Sequence, residues 1–178
     1  MLDFFAILMQ GEAEATRTRY IMLISLKKFL SELAGGEKHP ARFEPNDYRL
    51  AAAALLIHAS TIDGNMTANE REKLRALLKS RFSLDDAATE ELIDISTLAE
   101  NEAVDLYRFT SLLNRTLDEP GRLGIVEMMW EMVFADGRMN EFEDNLMWRT
   151  ADLLGVSSRD RIALRRRVAR ETAESNGA

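Results

Sequence analysis

The chain has 178 residues, of which 46% are hydrophobic and 30% charged, and its formal net charge at pH 7 is -7. This length and composition predict a single globular domain that buries a sizeable apolar core. The absence of cysteine excludes disulfide bonds, thiolate metal ligands and cysteine nucleophiles. The acidic balance argues against general nucleic-acid binding, which depends on neutralising phosphates, and it is compatible with cation binding.

The longest apolar runs, residues 4–9 and 51–57, are far shorter than the roughly 18 residues that span a bilayer. The apolar N-terminal stretch contains Asp3 and is not preceded by Lys or Arg, unlike the basic start of a secretory signal. We therefore expect a soluble cytoplasmic protein without a transmembrane helix.

The sequence divides into an N-terminal part, a main domain and a short tail. Apolar residues recur at helical spacing from Arg19 to Leu33, and two of the three prolines fall in the segment that follows. Residues 1–45 are therefore predicted to be a helical extension and linker. We place the main helical domain at residues 46–173 and a disordered tail at residues 174–178.

The main domain is predicted to be all-α, with about seven helices. Each helix begins at a residue whose side chain can accept a hydrogen bond from the first helical turn, and Gly155 ends the sixth helix. No segment alternates polar and apolar residues for long enough to predict a strand. The predicted caps are, in chain order, Asn46, Thr67 with Glu70 as a capping box, Ser83, Asn101, Asp118, Asn140 and Ser157 or Ser158.

An eleven-residue stretch, Ile62–Glu72, recurs 73 positions later at Ala135–Asn145. Each copy joins two apolar helical runs, so we predict two pseudo-symmetric helical hairpins. In each copy an aspartate ends one helix and a glutamate lies in the first turn of the next, and both carboxylates can point into the same turn. We call these turns the acidic corners. Their shared residues are Asp63, Gly64, Met66 and Glu70 in the first copy and Asp136, Gly137, Met139 and Glu143 in the second.

The acidic corners have two competing explanations. If the hairpins pack about a twofold axis, Asp63, Glu70, Asp136 and Glu143 converge. Two carboxylates about 5 Å apart repel by roughly 3 kcal/mol at an effective dielectric near 20, so four would take up protons or bind Ca²⁺ or Mg²⁺. Alternatively, Asp before Gly is common in turns, and an early glutamate stabilises a helix end without any ion.

Several known motifs are excluded. The second half of an EF-hand loop matches both corners, but its opening acidic ligands would fall on Ala59, Thr61, Met132 and Phe134, none of which is a carboxylate. The sequence also has no Ser-His-Asp set, Gly-rich phosphate loop or HExxH motif. A hydrolase with a catalytic metal would need a base that the sequence does not offer, so no enzymatic activity is predicted.

The paired corners resemble those of the TerB-like, or tellurite-resistance protein B, superfamily in its small stand-alone bacterial branch. The resemblance covers about residues 47–168 and includes the runs Ala51–Ile57 and Ala151–Gly155. It implies an all-helical fold of two interlocked bundles. It also implies a divalent metal at Asp63, Glu70, Asp136 and Glu143, and a non-enzymatic cytoplasmic role in tellurite or other chemical stress, near the membrane and with partner proteins.

Three other features have mainly structural interpretations. His58 lies about 140° around its helix from Asp63, so it is predicted to be a partly buried packing residue. The methionines near the second corner are predicted to fill the core, with a partner surface as the alternative: Met128, Met129, Met132, Met139 and Met147, with Trp130 and Trp148. The basic cluster is predicted to be a solvated face, with contact to an anionic lipid or nucleic acid as the minor alternative: Arg159, Arg161, Arg165, Arg166, Arg167 and Arg170.

Two functional hypotheses follow. The first is a non-catalytic stress-response module with a divalent-cation site, which acts through protein partners, including membrane-associated ones. The second is a purely structural adaptor for protein partners, with no metal site. Neither hypothesis involves nucleic acid, and both leave a homodimer open.

Overall fold

The computed structural model describes residues 43–44, 46–62, 64, 66–103, 105–134 and 140–176, which belong to one compact unit. The predicted N-terminal helix and most of the predicted linker lie outside these residues. The described part contains seven α-helices and no strand, which confirms the all-α prediction. The helices are α1 Tyr48–Thr61, α2 Ala68–Arg81, α3 Asp86–Asn101, α4 Tyr107–Thr116, α5 Glu119–Val133, α6 Glu141–Leu153 and α7 Ser158–Asn176.

Four predicted helix starts and one predicted stop are confirmed. Thr67, Asp118 and Asn140 cap α2, α5 and α6 through their side chains. Ser157 precedes α7, and its Oγ accepts a hydrogen bond from the backbone N–H of Asp160 at 3.2 Å. Gly155 follows α6 with a φ of 68°, a left-handed conformation that glycine adopts at little cost.

The predicted caps of α1 and α3 were wrong by one or two positions. Asp47, rather than Asn46, caps α1, and its Oδ1 accepts the N–H of Arg49 at 2.9 Å. Asp85, rather than Ser83, caps α3 by accepting the N–H of Ala88 at 2.8 Å. In both cases the observed cap is a carboxylate and the predicted cap was a neutral side chain. A negative charge at a helix N-terminus is stabilised by the helix dipole.

The predicted start of the fourth helix was also wrong. Asn101 is the last residue of α3, and α4 begins at Tyr107 after Leu106, which forms no side-chain cap. The nearest substitute is Asp105, whose Oδ1 accepts the N–H of Tyr107 at 2.9 Å. Ala99 near the end of α3 is buried, so packing extends this helix to Asn101, where the next helix was predicted to begin.

The boundaries of the domain differ from the prediction at both ends. Phe43 is buried, with the guanidinium of Arg49 4.6 Å from its ring centroid, so the packed core includes a residue assigned to the linker. At the other end α7 continues to Asn176. Residues 174–176 are therefore helical, and not part of a disordered tail as predicted.

The internal repeat comprises three helices in each copy. Shifted by 73 positions, α1, α2 and α3 correspond to residues 121–134, 141–154 and 159–174, which coincide with α5, α6 and α7 to within two residues. The packing repeats as well, because α1 contacts α2 and α3 while α5 contacts α6 and α7. The predicted hairpins are the first two helices of each three-helix unit, and α4 connects the units.

The core is organised around α1, which packs against α2, α3, α4 and α5. Every residue from Ala51 to Ile57 is at most 2% exposed, so the helix is buried on all sides and not on a single stripe. Its four consecutive alanines allow neighbouring helices to approach closely. The described methionines of the second unit are also buried, as predicted: Met128, Met129, Met132 and Met147.

The close packing around α1 gives a testable consequence. Ala53 is fully buried, so Ala53→Leu should lower the free energy of unfolding by about 1 to 3 kcal/mol because the added carbons overpack the core. Urea unfolding measures this change. The matched control is Ala163→Leu on the exposed side of α7, which should change stability by less than about 0.5 kcal/mol. An unaltered midpoint for Ala53→Leu would contradict the packing.

Candidate functional site

The first acidic corner is built on a capping box. The carboxylate Oε2 of Glu70 accepts the backbone N–H of Thr67 and its hydroxyl hydrogen, both at 2.7 Å. In return, Thr67 Oγ1 accepts the backbone N–H of Glu70 at 3.2 Å. This reciprocal pair satisfies two backbone donors at the start of α2. Helix capping alone therefore accounts for a glutamate at position 70, without a bound ion.

The second acidic corner repeats the same device with a different cap. Glu143 Oε2 accepts the backbone N–H of Asn140 at 2.7 Å, and Asn140 Oδ1 accepts the backbone N–H of Glu143 at 2.9 Å. Glu143 is only 8% exposed, whereas Glu70 is half-buried. Burying a carboxylate is costly unless its oxygens are satisfied, so the second corner constrains its glutamate more strongly.

The two aspartates of the corners, Asp63 and Asp136, lie outside the described residues. Within the described ranges, no three or more His, Asp or Glu side chains are grouped so that they could hold a metal ion. A capping box needs one oxygen of a carboxylate that has two, so capping and cation binding are chemically compatible. The oxygen chemistry of the four predicted ligands suits a hard cation.

A cleft lies beside the end of α1 and the start of α6. Ile62, the residue before Asp63, and Phe142, the residue before Glu143, line the same cavity of about 290 Å³. The end of α1 and the start of α6 therefore lie at one end of the fold.

The cleft has an apolar wall and a polar edge. The apolar residues that line it are Ile62, Ala103, Leu106, Phe109, Phe142 and Leu146. The polar residues are His58, Glu100, Asp105, Asn145 and Arg149. Such a combination of apolar surface with a few polar groups is common in binding sites.

His58 is partly buried, as predicted, but it does more than pack. Its Nδ1 lies 2.9 Å from Oε1 of Glu100, and the two side chains are 33% and 17% exposed. The partner was missed because His58 is on α1 and Glu100 is on α3, 42 residues apart. No local pattern connects them, and only the packing of α1 on α3 brings them together.

The basic cluster of α7 departs from the prediction at Arg161. This residue is 3% exposed, and its guanidinium carbon lies 3.1 Å from the ring centroid of Trp148. Burial lowers the pKa of Arg161 below its usual value, while the carboxylates of Asp152 and Asp144 oppose that shift. Arg161 therefore joins α7 to α6 and is not part of a solvated face, whereas Arg159, Arg166 and Arg170 are exposed, as predicted.

The capping boxes can be tested by removing one cap. Asn140→Ala should lower the free energy of unfolding by about 1 kcal/mol, because the N–H of Glu143 loses its acceptor. Thermal unfolding followed by circular dichroism measures the loss. Asn140→Asp is the control, since aspartate also caps well, and it should retain most of the stability. Equal stability of the alanine variant and the original chain would show that the box contributes nothing.

The comparisons with known proteins identify the family of the chain. The family model described as "Tellurite resistance protein TerB" matches residues 49–166. No curated protein and no solved structure has significant similarity to the chain. The family match begins in α1 and ends within α7, so it covers most of both three-helix units and the residues of both corners. The chain therefore belongs to the TerB family of tellurite-resistance proteins.

Proposed function

We propose that the protein is a non-catalytic TerB-like module that binds a divalent cation between its two acidic corners and acts through protein partners in the cytoplasm. Tellurite or another chemical stress is the setting that its family favours. The ligands in this proposal are Asp63, Glu70, Asp136 and Glu143. Calcium or magnesium is the ion that oxygen ligands of this kind prefer.

The observation that carries the proposal is the shared cleft. Ile62, adjacent to Asp63, and Phe142, adjacent to Glu143, line one cavity, which supports a position of both corners at one end of the fold. Glu70 and Glu143 each hold one oxygen in a capping box, which fixes the carboxylate before any ion arrives. A ligand that is already oriented loses less conformational entropy when it binds.

The structural adaptor without a metal site remains the second candidate. Its support is that both capping boxes explain their glutamates fully as helix caps. In this case Asp63 and Asp136 would only stabilise the turns, and the protein would function solely by binding protein partners. The described helices include none that is both long and apolar enough to cross a bilayer, and this finding does not distinguish the two candidates.

Cation binding can be tested on metal-free protein with calcium, magnesium, manganese and zinc. An ion that binds only the folded state adds about 2.7 kcal/mol at 100 times its dissociation constant. For a chain of this size that corresponds to an increase in the melting temperature of about 5 to 10 °C. Titration calorimetry should give one ion per chain for the ion that produces the shift.

Variants assign the effect to the corners. The double variant Asp63→Asn with Asp136→Asn should abolish the thermal shift and the binding heat. Glu72→Gln, which changes an exposed carboxylate two residues from Glu70, is the matched control and should leave both unchanged. If none of the four ions binds the original chain, the cation proposal fails and the adaptor remains. If the double variant still binds, the ion sits elsewhere.

A further inference from the structure

We propose that the cleft between α1, α4 and α6 receives a lysine or arginine side chain of a basic partner protein. The cationic end of that side chain would pair with the carboxylate of Glu100, which is held by its contact with His58. This inference gives a chemistry to the partner capture in the proposed function, on which it rests, and it does not need the cation site.

The polar edge of the cleft calls for a hydrogen-bond donor. A carboxylate at neutral pH only accepts hydrogen bonds, so the 2.9 Å contact with Glu100 Oε1 places the hydrogen on His58 Nδ1. An ammonium or guanidinium group can donate to the Glu100 oxygen that the His58 contact does not use, which a neutral ligand or an anion cannot do as well.

The charge of the cleft also favours a cation. Two carboxylates, Glu100 and Asp105, line it against one guanidinium, that of Arg149. Glu100 is 17% exposed and, within the described part of the chain, its only side-chain hydrogen bond is the one to His58. A partly buried carboxylate gains more from an added positive charge than an exposed one does, because the effective dielectric is lower.

The shape and apolar wall suit the aliphatic part of a basic side chain. A cavity of about 290 Å³ is at the small end of ligand sites, so it holds one extended side chain and not a helix. Leu106, Phe109 and Leu146 line it and can pack against the methylene groups of lysine or arginine while the charged end stays polar. The ring of Phe109 can also favour a nearby cation.

The surroundings of the cleft indicate a protein partner and not a free amine. Phe142, which lines the cleft, is 69% exposed, and Tyr107, which follows the lining residue Leu106, is 65% exposed. Aromatic side chains beside a binding cleft often dominate the binding energy at protein interfaces. A small amine in the cleft would leave both aromatic rings uncovered.

The test uses the full chain and two fluorescein-labelled peptides with the same leucine pattern, one with lysine and the other with glutamate at every polar position. Fluorescence anisotropy should detect binding of the lysine peptide only. Glu100→Gln keeps the shape and removes the charge, and it should weaken binding about tenfold or more. Phe142→Ala changes a side chain that is 69% exposed, and it should weaken binding by a similar factor.

The matched control separates the cleft from the overall acidity of the chain. Glu72→Gln removes one carboxylate at an exposed site on α2 and should leave the affinity of the lysine peptide unchanged. Equal weakening by Glu72→Gln and Glu100→Gln would overturn the proposal, since binding would then reflect net charge alone. Displacement of the peptide by butylamine with unaltered affinity in Phe142→Ala would also overturn it, in favour of a small-amine site. Loss of cation binding in the corner variants would leave this result untouched.

Discussion

The fold depends on the complete burial of α1. A helix that is buried on all sides must offer small or well-fitted side chains in every direction, and the alanine-rich segment from Ala51 to Leu56 does so. The helices α2, α3, α4 and α5 all pack against α1. The end of this helix leads directly into the first acidic corner, and its residue His58 reaches Glu100 on α3. The candidate sites are thus attached to the most constrained element of the molecule.

The duplicated architecture gives each three-helix unit a corner of the same design. Each three-helix unit places its capping box at the start of its second helix, at Glu70 and at Glu143. Because α1 packs against α5, the first helices of the two units form the centre, and both lead to corners. The same capping box therefore occurs twice, but its glutamates differ in burial. Glu143 is almost fully buried, whereas Glu70 is half-buried.

Local chemistry predicted much of this structure from the sequence. The capping box of Thr67 and Glu70, the start at Asp118 and the stop at Gly155 involve residues within a few positions of one another, and they were predicted correctly. The errors arose where neighbours competed, as when Asp47 capped α1 in place of Asn46, or where packing decided, as when α3 continued to Asn101. The His58–Glu100 pair and the burial of Arg161 depend on contacts between helices, so no local rule could have revealed them.

The central claim is that the two corners share one cation. Paramagnetic broadening by Mn²⁺ in a ¹⁵N-labelled sample tests it directly, because the effect falls steeply with distance from the ion. The account predicts that amide signals of Gly64 and Thr67 at the first corner and of Asn140 and Glu143 at the second lose intensity together at low Mn²⁺. Ser83, beyond the far end of α2 and about 20 Å along that helix, should keep its signal. Broadening at one corner alone, or at neither, would contradict a shared site.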